Sequence, residues 1–197
     1  MAMIALGALS GMRAHATERA GHWREMSWPF ARDGWPAGRA FRCTAGGCDG
    51  AELYVRAKRG FCNCDTGVAD DDEVDRVTDI DLISPRFTPV AAGEAVSIAA
   101  MRGRIRHYDL DMPDGARHAA AGLALSRRCD LLVAVTQGAG EANAVQRAAL
   151  VFLETQEMKD GRRAGWAVTG REPRHVLRCH HPRKRVIQYS EALVGYG

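Results

Sequence analysis

Four of the chain's six cysteines fall between residues 42 and 76, in the order Cys43-x4-Cys48-x13-Cys62-x-Cys64, while Cys129 and Cys179 stand apart. Thiols gathered this closely close disulfides, hold a metal or react, and the compartment decides which. In an oxidising compartment the four form two bridges, or one of them pairs with Cys129. Four cysteines allow three connectivities, and the one containing a Cys62–Cys64 bridge closes a small strained ring. A bridge spanning a loop of this size stabilises a fold by about 2–4 kcal/mol.

In a reducing compartment the same four thiolates make an all-cysteine zinc site, Cys43, Cys48, Cys62 and Cys64, although the x4 and x1 gaps depart from the usual x2 knuckle. Copper(I) also prefers soft sulfur, with Met101, Met112 and His107 as possible helpers, but scattered methionines more often fill cores. Redox catalysis has less support. There is no C-x-x-C, and no histidine stands near Cys62 or Cys64 in sequence. Cys179-His180-His181 lies in a stretch rich in Arg and Pro, where composition alone accounts for it, and the C-x-x-C-H of covalent haem is absent.

The acidic run Asp70, Asp71, Asp72, Glu73 and Asp75 lacks the spacing and glycine of a calcium loop, and the positive end of a helix explains it. No G-x-S-x-G, phosphate-binding loop, dinucleotide fingerprint or H-E-x-x-H occurs, so no motif points to an enzyme.

The elements that must position these residues follow from periodicity. Residues 23–42 hold three of the four tryptophans with Pro29 and Pro36, and read as an aromatic-anchored loop running into a strand at 39–43. Residues 52–58 alternate in polarity as a strand does. Residues 70–83 place Val74, Val77 and Ile80 on one helical face, and 84–93, with Pro85 and Pro89, read as a loop. Strands follow at 95–101, 104–110, 118–125 and 130–136, with a turn at Met112-Pro113-Asp114-Gly115, where proline presets φ and glycine accepts φ above zero. Residues 141–158 form an amphipathic helix through Val145, Ala148, Ala149, Phe152 and Leu153, with Asn143 and Gln146 resembling a capping box. Grouped strands with helices before and after them predict an α+β fold, an antiparallel sheet flanked by helices, whose topology looks PsbP-like.

With 197 residues, 46% hydrophobic and 26% charged, the chain suits one domain with a core of its own. The net charge of +3 is unevenly spread. Residues 159–197 carry nine Lys or Arg against three Asp or Glu, a net of +6, which leaves −3 for the rest. That tail has no interleaved aromatics around residues 171–185, so it reads as a basic, loosely ordered appendage with room for one short strand at 185–189, and no nucleic-acid partner is expected. Residues 4–12 have the length of a signal h-region, and Ala14-His15-Ala16 has the form that signal peptidase accepts. This divides the chain into a signal peptide at 1–16, a single domain at 22–158 and the tail at 159–197. No other segment approaches the length of a membrane span.

WPF at 28–30, GRAFRC at 38–43 and GFCNC-x-TGVADDDEVDR at 60–76 resemble a family of uncharacterised exported proteins of proteobacteria. The likeness continues through residues 87–101, through 128–134 and into FLETQEM at 152–158, and the tail departs from it. The resemblance implies export and a recurring set of five cysteines, matched here by Cys43, Cys48, Cys62, Cys64 and Cys129. It carries no activity. The expectation is therefore a periplasmic or secreted, disulfide-stabilised protein without cofactor, which binds a protein or envelope partner; the alternative is a zinc or copper protein using the cysteine cluster.

Overall fold

The computed structural model describes residues 22–44, 48, 50–59, 66–98, 101–127, 129–138 and 142–154. The predicted signal segment at 1–16, the tail at 159–197 and the short strand at 185–189 lie outside the described residues. The described residues form eleven elements: β1 (Trp23–Met26), β2 (Arg39–Cys43), β3 (Glu52–Arg59), α1 (Asp71–Val77), α2 (Ile80–Ile83), β4 (Phe87–Pro89), β5 (Glu94–Ile98), β6 (Met101–Asp111), β7 (Arg117–Arg127), β8 (Asp130–Gly138) and α3 (Ala142–Leu153).

All eight strands join one sheet in the order β1-β2-β3-β8-β7-β6-β4, with β5 also pairing β6. Every pair is antiparallel. The chain builds β1 to β3, crosses over through α1 and α2 to the far edge, and then returns strand by strand until β8 closes against β3. The eight-residue register of that seam runs from Glu52 opposite Gln137 to Arg59 opposite Asp130.

Both faces of the central strands are buried, because alternate residues point to opposite sides and both sets are apolar. Leu123, Leu125 and Ala134 meet Ala149 and Leu153 of α3, together with Phe41, Leu53 and Val55. Their neighbours Ala124, Leu131 and Val133 meet Val74 and Val77 of α1 on the other side. Ile80 of α2 joins Tyr108, Leu110, Ala120 and Val135. At Gly103 an added Cβ would lie 1.8 Å from the Ala124 carbonyl oxygen, so β6 and β7 approach as closely as they do only because that residue is glycine.

The predicted antiparallel sheet is present, and helices are the minor part of the described residues. Among the described residues the helices have 7, 4 and 12 residues, and the strands dominate. The helix predicted over 70–83 is broken. Asp70 caps its start by accepting from the Glu73 N–H at 2.8 Å, but Thr78 is extended, and Asp79 is drawn off the helical path to two cations on β3. The loop predicted at 84–93 contains β4. Its Pro89 is tolerated because β4 is an edge strand. The loop predicted from residue 23 begins with β1, and α3 starts at Ala142, one residue ahead of the predicted cap at Asn143.

Candidate functional site

Cys43 ends β2 and Cys48 lies in the turn that follows, where backbone bonds from Cys43 N to the Ala51 carbonyl and from Ala51 N to the Cys48 carbonyl close the hairpin at 2.8 and 2.9 Å. This brings the two Cα atoms to 5.8 Å, and the sulfurs are joined. The bridge is buried, at 1% and 2% exposure, beneath Val145 and Ala148 of α3 and against Ala51 and Trp23. It therefore closes the connection between β2 and β3 and gives α3 an apolar surface to pack on. Cys129, in the β7–β8 turn, is disulfide-bonded as well, to a sulfur outside the described residues. Cys62 and Cys64 also lie outside them.

The two oxidised positions mark opposite ends of the sheet. Cys43 and Cys48 sit by the Glu52–Gln137 end of the central seam, and Cys129 sits by the Arg59–Asp130 end. With Cys43 and Cys48 joined, neither offers a thiolate to an ion. The proposed copper helpers are not gathered either: Met101 packs with the α3-side core and Met112 with the cluster on the other face. No group of three or more His, Cys, Asp or Glu side chains that could hold a metal occurs among the described residues.

The acidic run does more than favour a helix terminus. Asp71, Asp75 and Asp79 recur four residues apart and each meets a cation on the sheet. Asp71 accepts from Arg104 Nε and Nη2 at 3.0 and 2.7 Å and from the Gly93 N–H at 2.9 Å. The Gly93 N–H and Arg104 hold the Asp71 carboxyl below the usual carboxylate range. Asp75 accepts from Arg106 Nη1 and from the Tyr108 hydroxyl, both at 2.6 Å, and burial together with that carboxylate pushes the Tyr108 phenol upward.

Asp79 lies 2.8 Å from Lys58 Nζ and accepts from Arg56 Nε at 2.8 Å, while Arg56 also donates to both oxygens of Asp33 at 2.9 and 2.6 Å. Arg56 is only 1% exposed. Burial opposes its charge, but Asp33 and Asp79 outweigh that and hold its pKa above the ordinary arginine value. Burial likewise works against the Asp33 carboxylate, yet hydrogen bonds from Arg56 and the Trp35 N–H keep it below the usual range. The tryptophans roof this layer, Trp28 over Arg56 at 5.4 Å and Trp35 over Lys58 at 5.7 Å.

A third group crosses the same face. Arg42 stands opposite Glu52, and Glu52 opposite Gln137, in direct register on β2, β3 and β8. Glu52 accepts from Arg42 Nη2 at 2.6 Å, from Gln137 Nε2 at 2.8 Å and from the Tyr54 hydroxyl. Burial raises its pKa, but these three donors outweigh it and leave the carboxyl below its usual range. Burial and the same carboxylate push the Tyr54 phenol up.

A carboxylate cannot donate, so the Gln137 amide must turn its Nε2 to Glu52 and its Oε1 to His118 Nδ1, 2.5 Å away. His118 Nδ1 is then the donor of that bond. The cavity between the sheet and α3, lined by Thr136, Gln146, Ala149 and Leu153 among others, has room for about one water, about 10 Å³.

Sequence reasoning missed these three polar groups, although half the signal was present. Arg104 and Arg106 alternate along one strand, Arg56 and Lys58 along another, and the acids repeat at helical spacing. What no local pattern gives is which strand lies under the helix.

No protein-family model matches the chain, and no curated protein matches it. Among solved structures it is similar to a protein of unknown function, PA94 from Pseudomonas aeruginosa, with a TM-score of 0.37 and 15% identity over 77% of this chain and 99% of that one. A likeness of that size carries neither fold nor function across.

Proposed function

We propose that this chain is an exported, periplasmic or secreted protein, braced by disulfides at both ends of its sheet, that acts by binding a partner and not by catalysis. In this reading the chain belongs with the exported proteobacterial proteins that it resembles, and its sheet takes a PsbP-like arrangement. The observation that carries the proposal is the oxidation state of the sulfurs: a buried Cys43–Cys48 bridge and a second bonded cysteine, Cys129. Two bridges of this kind persist in oxidising compartments. Binding through a surface is supported by how the polar side chains are spent. Arg56 is paired with Asp79, Arg104 with Asp71, Arg106 with Asp75 and Arg42 with Glu52 across the fold, and the cavity under α3 has room for about one water.

Thiol counting on the denatured, unreduced protein tests this, with at most two free cysteines of six expected. Finding four or more free thiols together with stoichiometric zinc or copper overturns the proposal and puts the all-cysteine metal site in its place. Recovery of the protein from the cytosol with its first sixteen residues attached removes the export reading.

A further inference from the structure

The two edges of the sheet are built differently. At one edge, β1 presents Arg24 and Glu25 to solvent, and Glu25 is held in an ion pair with Arg39 at 2.7 Å, charges of the kind that discourage another strand from adding. At the other edge, β4 and β5 lie end to end along β6, and among the described residues no strand pairs beyond either. Residues 88–98, TPVAAGEAVSI, contain one charged side chain, Glu94. Val90, at 60%, is the most exposed large hydrophobic among the described residues, and Ala91, Ala92, Ala95 and Ser97 are exposed with it.

The hydrogen-bond phase of β6 says which groups on this edge are free. Val90 N–H donates to the His107 carbonyl and Asp111 N–H to the Arg86 carbonyl, so the odd residues of β6 aim their backbone groups at this edge. In the observed register Met101, Gly103 and Ile105 stand opposite Ile98, Val96 and Glu94, which spend their own groups inward. Ala95 and Ser97 therefore turn their N–H and C=O groups outward. The same phase turns Pro89 outward on β4, where it has no N–H to offer, so β4 is blunted and β5 is not. The open strand is also held ready. Val96 and Ile98 are anchored in the α3-side core, and Gly93 at its start is fixed by its N–H to Asp71 at 2.9 Å and its carbonyl to Arg104 at 2.7 Å.

We propose that β5 is a homodimerisation edge, pairing antiparallel with β5 of a second copy about a two-fold axis at Val96. That register sets Ala95 against Ser97 of the partner copy twice over, so all the outward groups of both residues find partners. It also keeps the two Glu94 carboxylates at opposite ends of the pair, each across from an Ile98, whereas centring the pair on Glu94 would set like charges together. This rests on the proposal that the protein works by binding.

Sedimentation equilibrium of the full chain between about 1 and 100 µM tests it, the range suited to a small interface. The expected result is a mass that rises towards twice that of the monomer. Ala95→Pro removes an outward N–H without touching the bonds to β6, and should weaken dimerisation at least tenfold. A variant that loses its circular dichroism is replaced by Val96→Cys, which sets two sulfurs across the axis and should give a disulfide-linked dimer on a non-reducing gel. A monomer throughout, a dimer indifferent to Ala95→Pro, a folded Val96→Cys that does not cross-link, or an edge that takes only an extended peptide of another protein would each overturn the proposal. A monomer with two oxidised cysteine pairs leaves the export reading standing.

Discussion

The side of the sheet that carries α3 is held by carbon, and the side that carries α1 and α2 is held by carbon and charge together. Beneath α3, Phe41, Leu125 and Leu153 meet with Trp23 and Phe152, and the Cys43–Cys48 bridge adds a covalent tie. Beneath α1 and α2, two apolar clusters, one around Val74 and Val77 and one around Ile80, are framed by Asp71, Asp75 and Asp79 against Arg104, Arg106, Arg56 and Lys58. The difference bears on how each side fails. Apolar packing loses stability in proportion to what is removed, whereas a buried ion pair that loses one member leaves the other charge stranded. A short helix of seven residues can be kept in place by partners fixed on the strands below it, with little stability of its own.

Acid should separate the two sides most widely. Asp33, Glu52 and Asp71 all titrate below their ordinary values in the fold, so the stability they contribute is complete above the unfolded carboxylate range and is lost as pH falls through the folded values. Urea midpoints should stay level from pH 7 to about 5 and fall below about pH 4, and amide exchange should show α1 opening before α3. If α3 opened first, the contrast would be wrong.

Next in size is Arg56→Ala, which strands Asp33 and Asp79 and should cost about 3–5 kcal/mol at neutral pH, and much less once the carboxyls are protonated. Leu125→Ala on the α3 side should cost about 2–5 kcal/mol at either pH, and urea unfolding of both variants at two pH values measures the difference. Replacing the bridge in the Cys43→Ala, Cys48→Ala variant should cost about 2 kcal/mol, since the loop it closes is short, and should lower the thermal midpoint without altering the acid behaviour of α1. The smallest effect is at the cap: Asp70→Ala should cost about 1 kcal/mol, read by the same unfolding experiment.

Much of the sheet was legible in the chain. The strands from β5 to β7 follow from alternation and β8 from a continuous apolar run, although the break expected around Gly103 falls inside β6, and the turn at residues 112–115 follows from proline chemistry and a glycine whose φ is 84°. Helix α3 follows from its apolar stripe. The features that escaped detection depend on residues far apart. β1 and β4 have four and three residues and exist because β2 and β6 offer them an edge. The break at Thr78 and Asp79 depends on cations some twenty positions earlier, which no helical periodicity contains. The cysteine cluster announced oxidised sulfur or metal, but the choice of Cys48 as partner for Cys43 depended on a hairpin turning between them.

The seam between β3 and β8 unites residues as much as 85 positions apart, as the Gln137–Glu52 hydrogen bond shows. During synthesis, then, the first three strands must wait beside the ribosome or a chaperone until nearly the whole domain has emerged. Topologies of this kind fold slowly, and their waiting halves expose strand edges that other chains can capture. The same delay keeps the polypeptide extended for longer than a chain of local contacts would be.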